Sequence, residues 1–78
     1  MTQQELTTIV NTHYSDKIQM ATLNPADVTF LLFKPKEGGL KEFKGYSVKL
    51  TDVPFDTEQD VRNVIDDVIT NNVEWYNL

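Results

Sequence analysis

The sequence predicts a small α+β domain in which two amphipathic helices pack on an antiparallel sheet of two to three strands, in the order α-β-β-α. Three observations carry that expectation. Leu6, Ile9, Val10 and His13 recur at helical spacing near the N-terminus. Two strand-like runs, Val28 to Lys34 and Leu40 to Leu50, flank a Gly-Gly pair. Val61, Val64, Ile65, Val68 and Ile69 then return to helical spacing.

The first helix opens at "TQQE", where the Thr2 hydroxyl and the Glu5 carboxylate suit a capping box. Its apolar stripe predicts a helix over Gln3 to Tyr14 with His13 on the buried edge. Ile18 and Ala21 continue the stripe, so the helix is expected to run on to about Thr22. A short strand over Ile18 to Thr22 is the rival reading. Pro25 in "LNPAD" breaks the chain, because it keeps Asn24 out of the helical region.

"VTFLLFK" reads as a strand with Val28, Phe30 and Leu32 on one face and Leu31 and Phe33 on the other. Apolar residues on both faces predict a strand covered twice or placed at an interface. Its hairpin partner is "LKEFKGYSVKL", in which Tyr46, Val48 and Leu50 alternate with Ser47 and Lys49. Phe43 is out of phase with that alternation, which predicts a bulge at Gly45. An isolated pair of strands is marginal, so a third strand is expected from the Ile18 region or from a second copy of the chain.

"TDVPFDTEQD" ends the strand at Pro54 and opens the last helix, with Asp56 as the expected N-cap and Gln59 three residues on. The β-branched residues that follow are mediocre helix formers, but their spacing outweighs propensity. Asn71 or Asn72 suits the C-terminal cap.

A chain of 78 residues is one domain, spanning 1–78, with a core that contributes only ~3–5 kcal/mol net. It has no cysteine, which excludes disulfides and thiolate metal sites and fits a reducing cytoplasm. Neither a signal peptide nor an apolar run long enough to span a bilayer is present, so a soluble, cytoplasmic protein without membrane contact is expected. The net charge of −5 is split: residues 34–51 carry five lysines against two glutamates, whereas residues 52–78 carry seven acids against Arg62.

The segment "FKPKEGGLKEFKGY" resembles a phosphate-binding loop only superficially. No Ser or Thr follows Lys41 and the run joins strand to strand, so no helix N-terminus faces an anion. Gly38-Gly39 instead suits the positive φ angles of a hairpin turn. Lys34, Lys36, Lys41, Lys44 and Lys49, interleaved with Phe33, Phe43 and Tyr46, form a candidate basic arm for single-stranded nucleic acid. The net negative charge weighs against direct nucleic-acid binding.

Asp56, Asp60, Asn63 and Asp67 fall at i, i+4, i+7 and i+11, one row along the outer face of the last helix. Carboxylates at such spacing stand about 6 Å apart, comparable to phosphates along a nucleic-acid strand. The bland account is a solvated helix face with its first acids favoured by the macrodipole. Trp75 and Tyr76 are either a lid on the core or an exposed aromatic anchor.

Catalysis finds no support. His13, Ser15 and Asp16 are close in sequence but lack a nucleophile elbow, and adjacent Asp66 and Asp67 diverge by about 100° on a helix. No metal-ligand spacing exists, so no cofactor or metal is expected. The expected function is that of a small acidic protein-binding module, an inhibitor or nucleic-acid mimic of the kind viruses encode. Its contact set would be Asp56, Asp60, Asn63, Asp67, Trp75 and Tyr76, and its partner another protein, nucleic-acid-binding proteins included. The alternatives are nucleic-acid binding through the basic hairpin 33–49 and a structural homo-oligomer, for instance a homodimer.

Overall fold

The computed structural model describes residues 1–77. Its elements are helix α1 (Gln3–His13), strands β1 (Ile18–Leu23), β2 (Asp27–Pro35) and β3 (Lys41–Lys49), helix α2 (Glu58–Asn71) and a one-turn helix α3 (Val73–Tyr76). The strands form one antiparallel sheet in the order β1-β2-β3. The domain is therefore α+β with the order α-β-β-β-α, one strand more than the expected α-β-β-α.

That strand replaces the helical extension to Thr22 and is the rival reading, a strand from the Ile18 region that supplies the third member of the sheet. α1 stops at His13, and a turn over Ser15 to Lys17 leads into β1. Ile18 and Ala21 are indeed both buried, yet a register shift between Ile18 and Met20 leaves Gln19 as an extra residue. The bulge puts Ile18 and Ala21 on the same face three residues apart, a spacing that in a regular strand would place them on opposite faces. A bulged strand thus imitated a helix. His13 is exposed, contrary to expectation, and Tyr14 takes the buried place, with its hydroxyl donating to Asp66 Oδ1 at 2.9 Å.

β3 holds the opposite surprise. The β2–β3 ladder runs without a break from Asp27↔Lys49 to Pro35↔Lys41, so there is no bulge at Gly45. Phe43 is out of phase with Tyr46 because it points to the other face. The turn follows the glycine pair as expected, with Gly38 and Gly39 at φ 77° and 76°.

Thr2 and Glu5 form the capping box of α1. At α2 the N-cap is Thr57, not Asp56, and the reciprocal partner is Asp60, not Gln59. Asn72 is the C-cap of α2 and donates through Nδ2 to the Val68 carbonyl at 2.7 Å. This buried amide is where the chain turns from α2 into α3.

Both long helices cover one face of the sheet. Leu6, Ile9 and Val10 from α1, and Val61, Val64, Ile65 and Val68 from α2, enclose Val28, Phe30 and Leu32 of β2. The opposite face is uncovered: Met20 and Phe43 are exposed by 52% and 50%. β2 is therefore covered once, not twice. No described helix is long and apolar enough to cross a membrane.

Candidate protein-binding surface

The parity of the hairpin decides what each sheet edge offers. Leu50 N–H donates to the Ala26 carbonyl at 3.0 Å, and Lys36 N–H to the Leu40 carbonyl at 2.8 Å. Even-numbered residues of β3 therefore direct their backbone groups at β2, and odd-numbered ones direct theirs outward. Among the described residues, the outward N–H and C=O groups of Phe43, Gly45 and Ser47 have no hydrogen-bond partner.

The β1 edge is treated differently. There the outward groups belong to Ala21 and Leu23, and the Gln3 side-chain amide bonds one group of each. Its Nε2 donates to the Ala21 carbonyl at 2.8 Å, and its Oε1 accepts from Leu23 N–H at 2.7 Å. One glutamine thus substitutes for a strand partner.

Beside the open β3 edge lies a cleft of about 400 Å³ between β3 and α2. Tyr46, Val48 and Val53 line it together with Val64 and Val68, and Asp52, Asp67 and Asn71 stand at its polar margin. The cleft exists because two helices cannot cover three strands fully. α1 packs along β1, α2 packs beside α1, and the inner face of β3 stays half-buried.

The acidic row is only partly assembled. Asp56 precedes the helix and is off the row. Asp60 is committed to the cap, where its carboxylate accepts from Asp56 N–H at 3.0 Å and Thr57 N–H at 3.1 Å. Those bonds to the ionised form hold its pKa below the usual carboxylate value. Asn63 accepts from Gln59 at 2.9 Å, while Asp67 is exposed at the cleft margin.

Trp75 and Tyr76 are half-buried against the core, their rings T-stacked at 4.9 Å. Lys34 Nζ donates to the Trp75 carbonyl and lies 4.7 Å from the indole centroid, while Tyr76 Oη donates to the Lys17 carbonyl at 2.7 Å. Burial pushes the Tyr76 pKa up to about 12, with Asp16 adding to the shift. α3 is thereby tied to the starts of β1 and the end of β2, away from the β3–α2 cleft.

Of the basic arm, Lys41, Phe43 and Lys49 share the uncovered face with Phe33, which is paired across the strands with Phe43. Lys41 Nζ sits 4.5 Å from the Phe33 ring centroid. Lys44 and Tyr46 point to the helix side instead. No cluster of three His, Cys, Asp or Glu that could hold a metal occurs among the described residues. The open edge and its cleft were missed by sequence reasoning; the signal available was the clean alternation of Tyr46, Val48 and Leu50 in a strand with no further strand after it.

Comparison of the chain with protein families, with curated proteins and with solved structures returned no significant match.

Proposed function

We propose that the chain is a non-catalytic protein-binding module and that its contact surface is the open side formed by β3 and α2. The observation that carries the reading is the unequal treatment of the two sheet edges. Gln3 caps the Ala21 carbonyl and the Leu23 N–H of the β1 edge, whereas the outward backbone groups of Phe43, Gly45 and Ser47 have no partner among the described residues and stand beside an apolar cleft. Exposed edges are ordinarily blunted because they recruit other chains. Here the lysines 41 and 49 bracket the edge without covering its centre.

Within this reading the contact set shifts from the full acidic row to Asp67, Tyr46, Val48 and the β3 edge. Asp60 serves the helix cap, and Trp75 and Tyr76 serve to hold α3 in place. The nucleic-acid-mimic version is weakened accordingly, since Asp56 precedes the helix and the Asp60 carboxylate is engaged in the cap. A small inhibitor or adaptor acting in a reducing compartment such as the cytoplasm fits the absence of cysteine.

The test is site-specific photo-crosslinking in a lysate of the source cells, with the crosslinker at Ser47, at Asp67 or at Gln19. The expected outcome is one defined adduct from Ser47 and Asp67 and none from Gln19. Adducts from all three positions alike, or from none, would remove the assignment.

A second reading is favoured by one observation, the Phe33–Phe43 cross-strand pair beside Lys41 on the uncovered face. Aromatic rings flanked by lysines can stack the bases of a single strand. Retention on oligo-dT or oligo-U at about 50 mM salt, abolished by Phe33→Ala with Phe43→Ala, would move the function there.

A further inference from the structure

We infer that the β3 edge binds by strand addition. It takes up an extended segment of a partner protein that carries carboxylates on one side and small apolar side chains on the other. The inference rests on the protein-binding reading above and specifies its mode and the chemistry of the partner.

Phe43, Gly45 and Ser47 are alternate residues of a regular strand, so their free N–H and C=O groups repeat roughly every 7 Å. Only another extended backbone offers donors and acceptors at that repeat; a phosphodiester chain has no donors to give. In an antiparallel addition each outward residue of β3 faces one residue of the incoming strand. The side chains of those facing residues lie over the uncovered face, among Lys41, Phe43, Gly45, Ser47 and Lys49. Lys41 and Lys49 form no ion pair among the described residues and stand at the two ends of the run. Carboxylates at the matching ends of the partner are the complement, and Gly45 leaves the middle open.

The intervening side chains of the partner point the other way, into the cleft. There they meet Tyr46, Val48, Val64 and Val68, which favours apolar side chains, with Asp67 at the margin. A second copy of this chain is the poorer occupant. The antiparallel register with the fullest overlap, centred on Gly45, sets Lys41 opposite Lys49 at both ends, and like charges directly opposite are destabilising.

The probe is a short capped peptide alternating glutamate and valine, titrated to millimolar concentration into the isotope-labelled chain. Binding is expected to slow amide exchange at Phe43, Gly45 and Ser47 by ~tenfold or more. The same peptide N-methylated along its pairing edge is expected to lose that protection, as is Ser47→Pro, which removes an outward N–H and spares the β2 ladder. Should Ser47→Pro fail to fold, the N-methylated peptide carries the same test. Equal binding of a lysine–valine peptide would overturn the carboxylate requirement. Methyl shifts at Val48, Val64 and Val68 without amide protection would overturn strand addition while leaving the protein-binding reading intact. No binding of any peptide would also overturn strand addition, and the Ser47 crosslink would then decide the broader reading by itself.

Discussion

The Gln3 side-chain amide lies along the outer edge of β1 and donates to the Ala21 carbonyl at 2.8 Å. Its oxygen accepts from Leu23 N–H, so one side chain supplies both halves of a strand pairing. Gln3→Ala removes both edge bonds and the exposed bond from Nε2 to Thr7 Oγ1, and is expected to cost about 2–3 kcal/mol at the usual net value per bond. Amide exchange at Leu23 should accelerate. Light scattering should also show concentration-dependent association, because a second edge has been opened. Gln3→Glu keeps the acceptor but sets a carboxylate oxygen against the Ala21 carbonyl, so wild-type stability in this variant would show that the Ala21 bond contributes nothing.

Alkaline stability should depend on Tyr76. Its hydroxyl is hydrogen-bonded to Lys17, and burial raises its pKa to about 12, above the value near 10 of an unfolded chain. The folded state therefore holds this proton more tightly than the unfolded state does. The resulting stability is fully present below pH ~10 and is lost as pH rises towards ~12. Tyr14 is shifted in the same direction, again chiefly by burial, and adds to the decline. Denaturant midpoints measured from pH 7 upward should be flat and then fall. Tyr76→Phe should start lower at pH 7 and meet the wild-type curve at high pH; parallel curves would show that Tyr76 is not responsible.

Two neighbouring residues separate the competing caps of α2. Thr57 accepts from Asp60 N–H at 3.1 Å, whereas Asp56 lies outside the cap and only donates its own N–H to Asp60. Thr57→Ala is expected to cost about 1 kcal/mol, the usual value for a lost N-cap, and Asp56→Ala to change little. The Asp60 carboxylate is stabilised in its charged form, so its share is present above pH ~4 and fades as the solution is acidified. Urea unfolding of the two variants at neutral pH distinguishes the assignments; equal losses would restore Asp56 as the cap.

The legible parts of the fold were those with strict periodicity. The α2 stripe, the Thr2–Glu5 box and the Gly38-Gly39 turn each depend on residues within one or two turns of chain, where local chemistry decides the outcome. β1 ranked second to a longer helix because its bulge at Gln19 gave Ile18 and Ala21 a helical spacing, and a bulge is fixed by pairing with β2 rather than by β1 itself. The cap of α2 was misplaced by one residue because Asp56 and Thr57 are both competent, and the entry path of the loop selects between them. The β3–α2 cleft left only an indirect signal, the alternation of Tyr46, Val48 and Leu50 in the last strand of the chain. Its shape follows from how two helices share three strands, a matter of packing geometry that no single segment determines.

Gly45 provides the remaining test, because its role changed between sequence and structure. A glycine needed for a bulge would resist replacement, but the ladder passes through Gly45 without interruption and pairs it with Leu31. A β-carbon placed there meets nothing within 4 Å, and the residue does not have a positive φ. Glycine inside a strand costs conformational entropy and contributes no side-chain packing, so its replacement by a β-branched residue should be favourable. Gly45→Thr is expected to raise stability by about 0.5–1 kcal/mol, read as a higher denaturant midpoint with an unchanged slope. Gly39→Ala should do the reverse at about 1 kcal/mol, since φ there is 76° and an L side chain is strained. Destabilisation by Gly45→Thr as large as that of Gly39→Ala would mean that β3 does bend at this point, and the flat, open edge on which the binding surface is built would have to be redrawn.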